Sequence, residues 1–569
     1  MLALRRTALL AATALVVVAC QPAGPPPKEL ATTQILRLAI ASDISSLAPL
    51  DPPQIGPGFT YAIGTNIFGG LYRFNDHLRL VPDIASGSPD VSTDGRTYTF
   101  HLRQNVTFSN GDPVTSADFV YSWNRAAPAQ NYSNFTFGAI DGYHAIVDAA
   151  SAKQPIPPLT GLSAPDARTL VVHLTAPTSD FLATLALPGA WVVDAKAIAA
   201  GGQATWWTNP DGLVGTGPFR LTARTRNESL VFTPVPHWWG GSTGELTRVE
   251  LQVLPPGASQ WQAYQTGKVD VLGFAAPVSA AGLPELTSSL GPQLRNLASD
   301  PVHRAEIHTW PFGHTDWVGF NFQAGPFSGA QGRDLRQAFS QAIDRSALAQ
   351  AVCENGWICT PANGGLITKG LQGYLGDRAD TTARFDPATA RATIERLDPG
   401  GSRLRGLVYT YGPPSPFLES VASNLHDQWK ANLGLDIPVH ALDPATFFSV
   451  ALPREQLTLF RGTWVADYDH PKDWFDNLFT TSADQVGNDS TGSGYSNLTV
   501  DSVVAAADRL PLDGALAGYQ RAGRLLLDDQ AMAALFYWSR TELVKPYVDG
   551  YGANLLLDYS WTPVRILSH

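Results

Sequence analysis

The residues best placed to do chemistry lie in one run near the end of the chain: Trp464-Val465-Ala466-Asp467-Tyr468-Asp469-His470-Pro471, followed by Asp473 and Asp476. Carboxylates this close permit three kinds of chemistry. Two of them could act as acid and base on a glycosidic bond, with nearby aromatic rings stacked on the sugar. They could supply oxygen ligands to calcium, although the spacing lacks the EF-hand pattern. Or a single carboxylate could hold the cation of a bound ligand. A solvated acidic turn uses the same residues, and carboxylate separation in space cannot be read from spacing along the chain. The run by itself leaves these readings open.

Other signatures are weaker. Neither GxxxxGK[ST] nor HExxH occurs, so the chain carries no P-loop and no zincin helix. Glu306, His308, His314 and Asp316 are close enough in sequence to be imagined as metal ligands, but they read better as ordinary strand or surface residues. Gly240 to Gly244 matches GxSxG. A nucleophile elbow needs a strand before its serine and a helix after it. Here Pro236-His237-Trp238-Trp239 precedes and the strand-like Val249 to Val253 follows, so a plain glycine-rich loop is expected. Neither an enzyme, a metal nor a cofactor is called for.

A large mixed fold must position these residues. The 569 residues provide for about three or four domains at roughly 100–200 residues each. Hydrophobic residues are 44% and charged residues only 16%, which excludes a highly charged disordered chain. Fifteen Trp against two Met favour rigid aromatic surfaces over flexible ones. The net charge of −11 leaves no basic excess for phosphates, so no nucleic-acid partner is expected. Alternation predicts strands at Ile35 to Ile40, Thr97 to Arg103, Leu170 to Leu174 and Val249 to Val253. Helical spacing marks Asp334 to Cys353, Leu418 to Leu433, Val503 to Leu510 and Leu516 to Asp529. The mixture predicts an α/β or α+β chain without a single repeating unit.

The first residues read as an export signal. Arg5 and Arg6 precede an uncharged, mostly apolar run from Thr7 to Ala19, too short to span a bilayer. Val17-Val18-Ala19-Cys20 resembles a bacterial lipobox, which implies a signal peptide over 1–19 and a lipidated Cys20 as the first mature residue. A tether would follow over 20–32, stiffened by four Pro between Gln21 and Lys28. No later stretch is apolar for long enough to cross a membrane. In an oxidising compartment the remaining pair, Cys353 and Cys359, is expected to form a disulfide.

Further blocks carry a resemblance that runs nearly the length of the chain. They are Ser45-Ser46-Leu47-Ala48-Pro49, Asn66-Ile67-Phe68-Gly69-Gly70-Leu71, and Asp94-Gly95-Arg96-Thr97-Tyr98-Thr99-Phe100. Phe108-Ser109-Asn110-Gly111-Asp112-Pro113 and Val120-Tyr121-Ser122-Trp123-Asn124-Arg125 follow, then Gly215-Thr216-Gly217-Pro218-Phe219 and Ala342-Ile343-Asp344-Arg345. Trp464-Val465-Ala466-Asp467-Tyr468 and Leu543-Val544-Lys545-Pro546 complete the set. In this order they make the chain similar to the oligopeptide-binding proteins that serve ABC importers.

The resemblance implies a mixed α/β, two-lobed, three-domain fold that closes on a hinge over its ligand. Domain I would combine 33–68 with 192–310 and 540–569, domain II would be 69–191, and domain III 311–539. The implied function is an extracytoplasmic lipoprotein, anchored to the cell membrane and working as a monomer. It would capture extended oligopeptides and deliver them to permease subunits with separate ATPase chains. A receptor of the same fold for an oligosaccharide or another small solute is the alternative.

The resemblance also implies a site. Asp467 matches the acid that pairs with a peptide α-ammonium, and Arg461 matches a position that receives the carboxylate at some lengths. Six extended residues between them span about 20 Å. Gly462 to Ala466 would line one side of the peptide by strand addition. The loop Gly56 to Tyr61, with Gly58 and Phe59, would line the other. Tyr132, Trp464 and Trp538 match aromatic pocket positions. The chain departs from the pattern at Leu418 and Leu452, which replace C-terminal anchors, with Arg454 near enough to substitute for one. Gly56 replaces an entrance-loop acid, and Val465 a cysteine.

Overall fold

The computed structural model of the chain describes residues 29–45, 48–56, 58–129, 133–255, 258–275, 295–301, 303–451, 457–481, 492–556 and 558–569. The 1–19 segment, Cys20, most of the tether, Tyr132, Leu452 and Arg454 lie outside the described residues.

Two long antiparallel strands, Ile307–Phe320 and Met532–Val544, run through the middle of the protein. Every residue of the second is buried. Among the described residues they belong to a sheet of eleven strands. On one side follow Val271–Leu272, Ile35–Ile40, Arg248–Val253, Ser229–Pro234 and Phe219–Thr225. On the other side lie Leu459–Val465, Tyr409–Tyr411 and Val439–Ala441. Alternation does its work in the first of these: Leu36 and Leu38 are buried while Ile35 and Arg37 are half-exposed.

The two central strands do not pair without a break. Ile307 to Pro311 pairs with Ser539 to Leu543, and Thr315 to Gly319 with Met532 to Tyr537, with a register shift between Pro311 and Thr315. Proline has no N–H to continue the ladder. Inside the break, Gly313 donates its N–H to Leu555 O at 2.9 Å and its carbonyl accepts Ala466 N–H at 2.6 Å. A Cβ at Gly313 would lie 3.2 Å from both the Ala466 Cβ and Leu555 O, so this three-way approach favours glycine.

A second sheet pairs Asp90–Val91, Thr97–His101, Thr169–His173 and Leu162–Asp166. Its inward residues Tyr98, Phe100, Leu170 and Val172 share one core with Phe119 and Trp123 of the Ser116–Ala126 helix. That helix starts where the Thr115 N–H donates to the Asp118 carboxylate at 2.8 Å.

The helical pattern over Asp334 to Cys353 resolves into two helices, Gly332–Gln341 and Arg345–Val352. Asp344 separates them because its carboxylate accepts the N–H of Ser346 and Ala347, which starts a new helix. The two later helices begin earlier than the pattern predicts, as Leu498–Ala507 and Leu512–Asp528. Helix Pro416–Leu433 has Ser415 accepting from Leu418 N–H, Pro416 in its first turn and Gly434 at φ 74° after its end. A disulfide joins Cys353 to Cys359, tying the end of one helix to a strand that pairs with Met532–Val544. Among the described residues no helix is long and apolar enough to cross a membrane.

Candidate functional site

Strand Leu459–Val465 leads into the acidic run. One edge pairs with Ile307–Phe320 from Leu459↔Phe320 to Val465↔His314. On the other edge, Tyr409–Tyr411 pairs only with Leu459 and Phe460. Among the described residues no strand covers the outer edge of 461–466. Gly462 stands opposite Trp317, whose indole occupies the space that a Cβ at Gly462 would need. Ala466 is buried and held by Gly313.

Arg461 turns inward. Its guanidinium is 2% exposed and grips Asp316, from Nε to Oδ2 at 2.7 Å and from Nη2 to Oδ1 at 3.1 Å. Its Nη1 donates to Gly412 O at 2.9 Å and its Nη2 also to Thr463 Oγ1. The Asp316 carboxylate further accepts the Thr463 hydroxyl at 2.6 Å and Trp538 Nε1 at 3.1 Å. His314 lies 2.6 Å from Thr463 Oγ1 through Nε2 and stacks on Trp538 at 4.8 Å. With the Thr463 proton committed to Asp316, the His314 hydrogen sits on Nε2. Burial opposes ionisation of Asp316, but Arg461 and the hydrogen bond from His314 hold its carboxyl well below the usual range. Arg461 and Trp538, expected at the ligand, are thus committed to a buried network, because a guanidinium at this depth must be paired.

Asp467 follows the strand and is half-buried. Its N–H donates to Asp473 Oδ2 at 3.1 Å, and Trp464 Nε1 reaches the same oxygen at 3.3 Å. Asp473 is fully buried in helix Lys472–Leu478. Burial, and after it the Asp467 carboxylate, pushes the Asp473 carboxyl far up. Sequence reasoning noted Asp473 but assigned it no part.

Gly58 enters helix Phe59–Ile67 at φ 127°, a conformation that favours glycine, with open space around it. Phe59 is core, 8% exposed. Tyr61, on the same helix, has its phenol pushed far up by burial, then by Asp558 and Asp467. Tyr61 on this helix is therefore within electrostatic reach of Asp467. Of the expected residues, Trp464 and Asp467 converge on the Asp473 carboxylate, with Ala466 beside them against Gly313. Leu418 is core. Glu306 accepts the Tyr264 hydroxyl at 2.6 Å, away from Asp316.

A contact that spacing could not reveal joins the Thr178–Asp180 segment to the acidic run. Asp180 accepts Tyr468 OH at 2.9 Å and Lys472 Nζ at 3.2 Å. Burial opposes ionisation of Asp180, yet Lys472 and His470 hold it down to about 2. Because this pKa is depressed, the pair stabilises above about pH 4, and roughly 2 kcal/mol is lost as pH falls through 2. Asp476 runs the other way: burial and Asp508 push it up to about 8. Its contribution is full below the unfolded value near 4 and is lost as pH rises toward 8. The thermal midpoint of Asp476→Asn is expected to decline less between pH 5 and 8 than that of the parent. Parallel declines would remove Asp476 as the cause.

The sequence pattern described as bacterial extracellular solute-binding proteins, family 5 middle, matches residues 79–485, more than half of the chain. The periplasmic murein peptide-binding protein MppA of Escherichia coli is 26% identical over 530 residues, covering 89% of each chain. The periplasmic oligopeptide-binding protein OppA of Salmonella typhimurium is 27% identical over 571 residues, covering 97% of this chain and 95% of its own. Among solved structures, the unliganded open form of the murein tripeptide binding protein MppA aligns at a TM-score of 0.79 and 24% identity, covering 96% of this chain and 99% of its own.

Proposed function

The chain belongs to the bacterial extracellular solute-binding proteins of family 5, and from that premise we propose that it captures oligopeptides in extended form for a membrane permease. Peptide-binding relatives covering nearly all of it support the ligand class. The observation that carries the reading is the uncovered strand edge over 461–466, ending at Asp467. An extended peptide adds to such an edge through main-chain hydrogen bonds, which give affinity without reading side chains. At the end of that edge, Asp467 would offer its carboxylate to the α-ammonium, with its backbone held by Asp473. Trp464 and the Gly58–Tyr61 turn would bound the peptide on its two sides.

The remaining assignments belong to the same reading. The chain binds and releases; it does not transform its ligand. Domain I is 33–68 with 192–310 and 540–569, domain II 69–191 and domain III 311–539. The register break between Pro311 and Thr315 supports a hinge at these boundaries. So does the separate core that runs from Leu71 to Val192 with Val214. A ligand touching both lobes favours the closed form because only there are all its contacts made. The lipobox-like Val17 to Cys20 supports a lipid anchor, which would hold the receptor at the membrane of its permease subunits. Mass spectrometry of membrane-extracted protein tests both parts. A ladder of short peptides released on denaturation, with an acylated Cys20 as the first residue, is expected. A single non-peptide mass would overturn the peptide reading, and an unmodified N-terminus the anchor.

A further inference from the structure

A cavity of about 460 Å³ lies between the Phe59–Ile67 helix, the Arg73–Asp83 region and the last turns of the chain. That volume is in the range of a ligand subsite. Its apolar walls include Tyr61, Phe68, Trp191 and Trp239. Its lining residues Phe74, Ala186 and Leu556 belong to the hydrophobic cluster that also includes Ala466 and, at its margin, Trp464, and Tyr61 in its wall is within electrostatic reach of Asp467.

Its polar lining is incomplete. Thr216 is 1% exposed, and its Oγ1 has no hydrogen-bond partner among the described residues. The Thr216 carbonyl is already pinned by Trp238 Nε1 and Trp239 Nε1, each at 2.8 Å, so the hydroxyl is what remains to offer. Asn554 is 7% exposed; its Oδ1 accepts Leu556 N–H at 2.9 Å and Asp558 N–H at 3.1 Å. That orients the amide and leaves Nδ2 without a partner among the described residues. At Gly69 a Cβ would lie 2.5 Å from Asp83 Oδ2 and 3.1 Å from Thr216 Oγ1. The missing side chain keeps open a cradle between this carboxylate and this hydroxyl.

The lining carries three carboxylates, Asp76, Asp83 and Asp558, against one cation, Arg73, which reaches Asp83 only at 3.8 Å, while Arg103 acts on Asp83 from outside the lining. Burial pushes both Asp83 and Asp558 up to about 6 despite Arg73. Aromatic walls with acidic ends suit an organic cation, whose stem packs on the rings while its head meets the carboxylates.

We propose that this cavity is a subsite for a cationic group, the alkylammonium or guanidinium of a lysine- or arginine-like side chain, held by Asp83, Asp558 and Thr216. The assignment rests on the peptide reading for the origin of that side chain, although the cavity's chemistry would accept a free diamine in the same way. Asn554 Nδ2 would meet a carbonyl of the same ligand.

The test uses the whole mature protein. Calorimetry compares Lys-Ala-Ala, Ala-Lys-Ala and Ala-Ala-Lys with their norleucine counterparts and with trialanine. Tryptophan fluorescence follows added cadaverine. Lysine is expected to bind about tenfold more tightly than norleucine at one position, as one or two charge-assisted hydrogen bonds allow. The Asp83→Asn/Asp558→Asn variant should erase that preference and leave trialanine binding as it was, which also shows that it folds. The absence of lysine preference together with no saturable cadaverine response overturns the subsite, as does a preference that survives in the variant. If no peptide binds but cadaverine saturates and the variant abolishes it, the peptide reading falls and the cation site stands on a free diamine. If neither binds, both fall.

Discussion

Asp467→Ala is expected to lower affinity for trialanine by about 30-fold or more while the thermal midpoint stays near that of the parent. Truncating one partner of a desolvated, hydrogen-bonded charge pair costs about 2–5 kcal/mol, and 1.4 kcal/mol is tenfold. Stability should hold because Asp467 is only half-buried and the strand beside it is fixed by other bonds. Gly313 holds Ala466, and the paired edge of Leu459–Val465 remains intact. Acetylating the peptide amine supplies the second arm of a cycle. It should weaken binding to the parent by a similar factor and to Asp467→Ala hardly at all. Equal losses in both proteins would mean that the ammonium is held elsewhere. Asp473→Asn should cost much less, because Asp473 meets Asp467 N–H and Trp464 Nε1 through one oxygen, and an amide oxygen can accept the same bonds.

Arg461→Met is expected to cost about 3–5 kcal/mol of folding stability by urea titration, the loss that follows when one partner of a buried ion pair is removed. Asp316 would be left buried without its counter-charge, at 1% exposure. The double variant Arg461→Met/Asp316→Leu should recover most of the loss, since an apolar pair needs no desolvation. The same variants decide between the two roles open to Arg461. The ratio of trialanine to trialanine-amide affinity should be the same in the parent and in the double variant. A ratio that collapses toward one in the variant would restore Arg461 as the receiver of the peptide carboxylate. A stability loss under about 1 kcal/mol would remove the structural role, because surface pairs rather than buried ones behave that way.

Much of the local structure was legible. The strands around Phe100 and Val172 follow from alternation, which places every second side chain in a core, and the strand around Leu38 follows from it in part. The Pro416–Leu433 helix announces itself through Ser415, Pro416 and Gly434 as much as through its apolar stripe. The break at Asp344 was less visible, because Ala342 and Ile343 continue the apolar spacing and only the capping bonds end the run. Asp467 stood out by resemblance, although nothing in its neighbourhood distinguishes it from Asp469. The structure separates them: Asp469 is 4% exposed and accepts Gln372 N–H at 2.7 Å, whereas Asp467 meets Asp473.

By itself the sequence determined the α/β class, the likeness to a family of solute receptors, the main strands and helices, and the run that holds the candidate anchor. These rest on signals carried within a few residues or along an ordered set of short blocks. Only the tertiary structure decided which charges are paired inside the protein. Arg461 and Asp316 are 145 residues apart, and Lys472 and Asp180 are 292 apart. Whether such groups pair depends on how far each is desolvated. Desolvation is set by the packing of distant segments against one another, not by the pattern around any one residue.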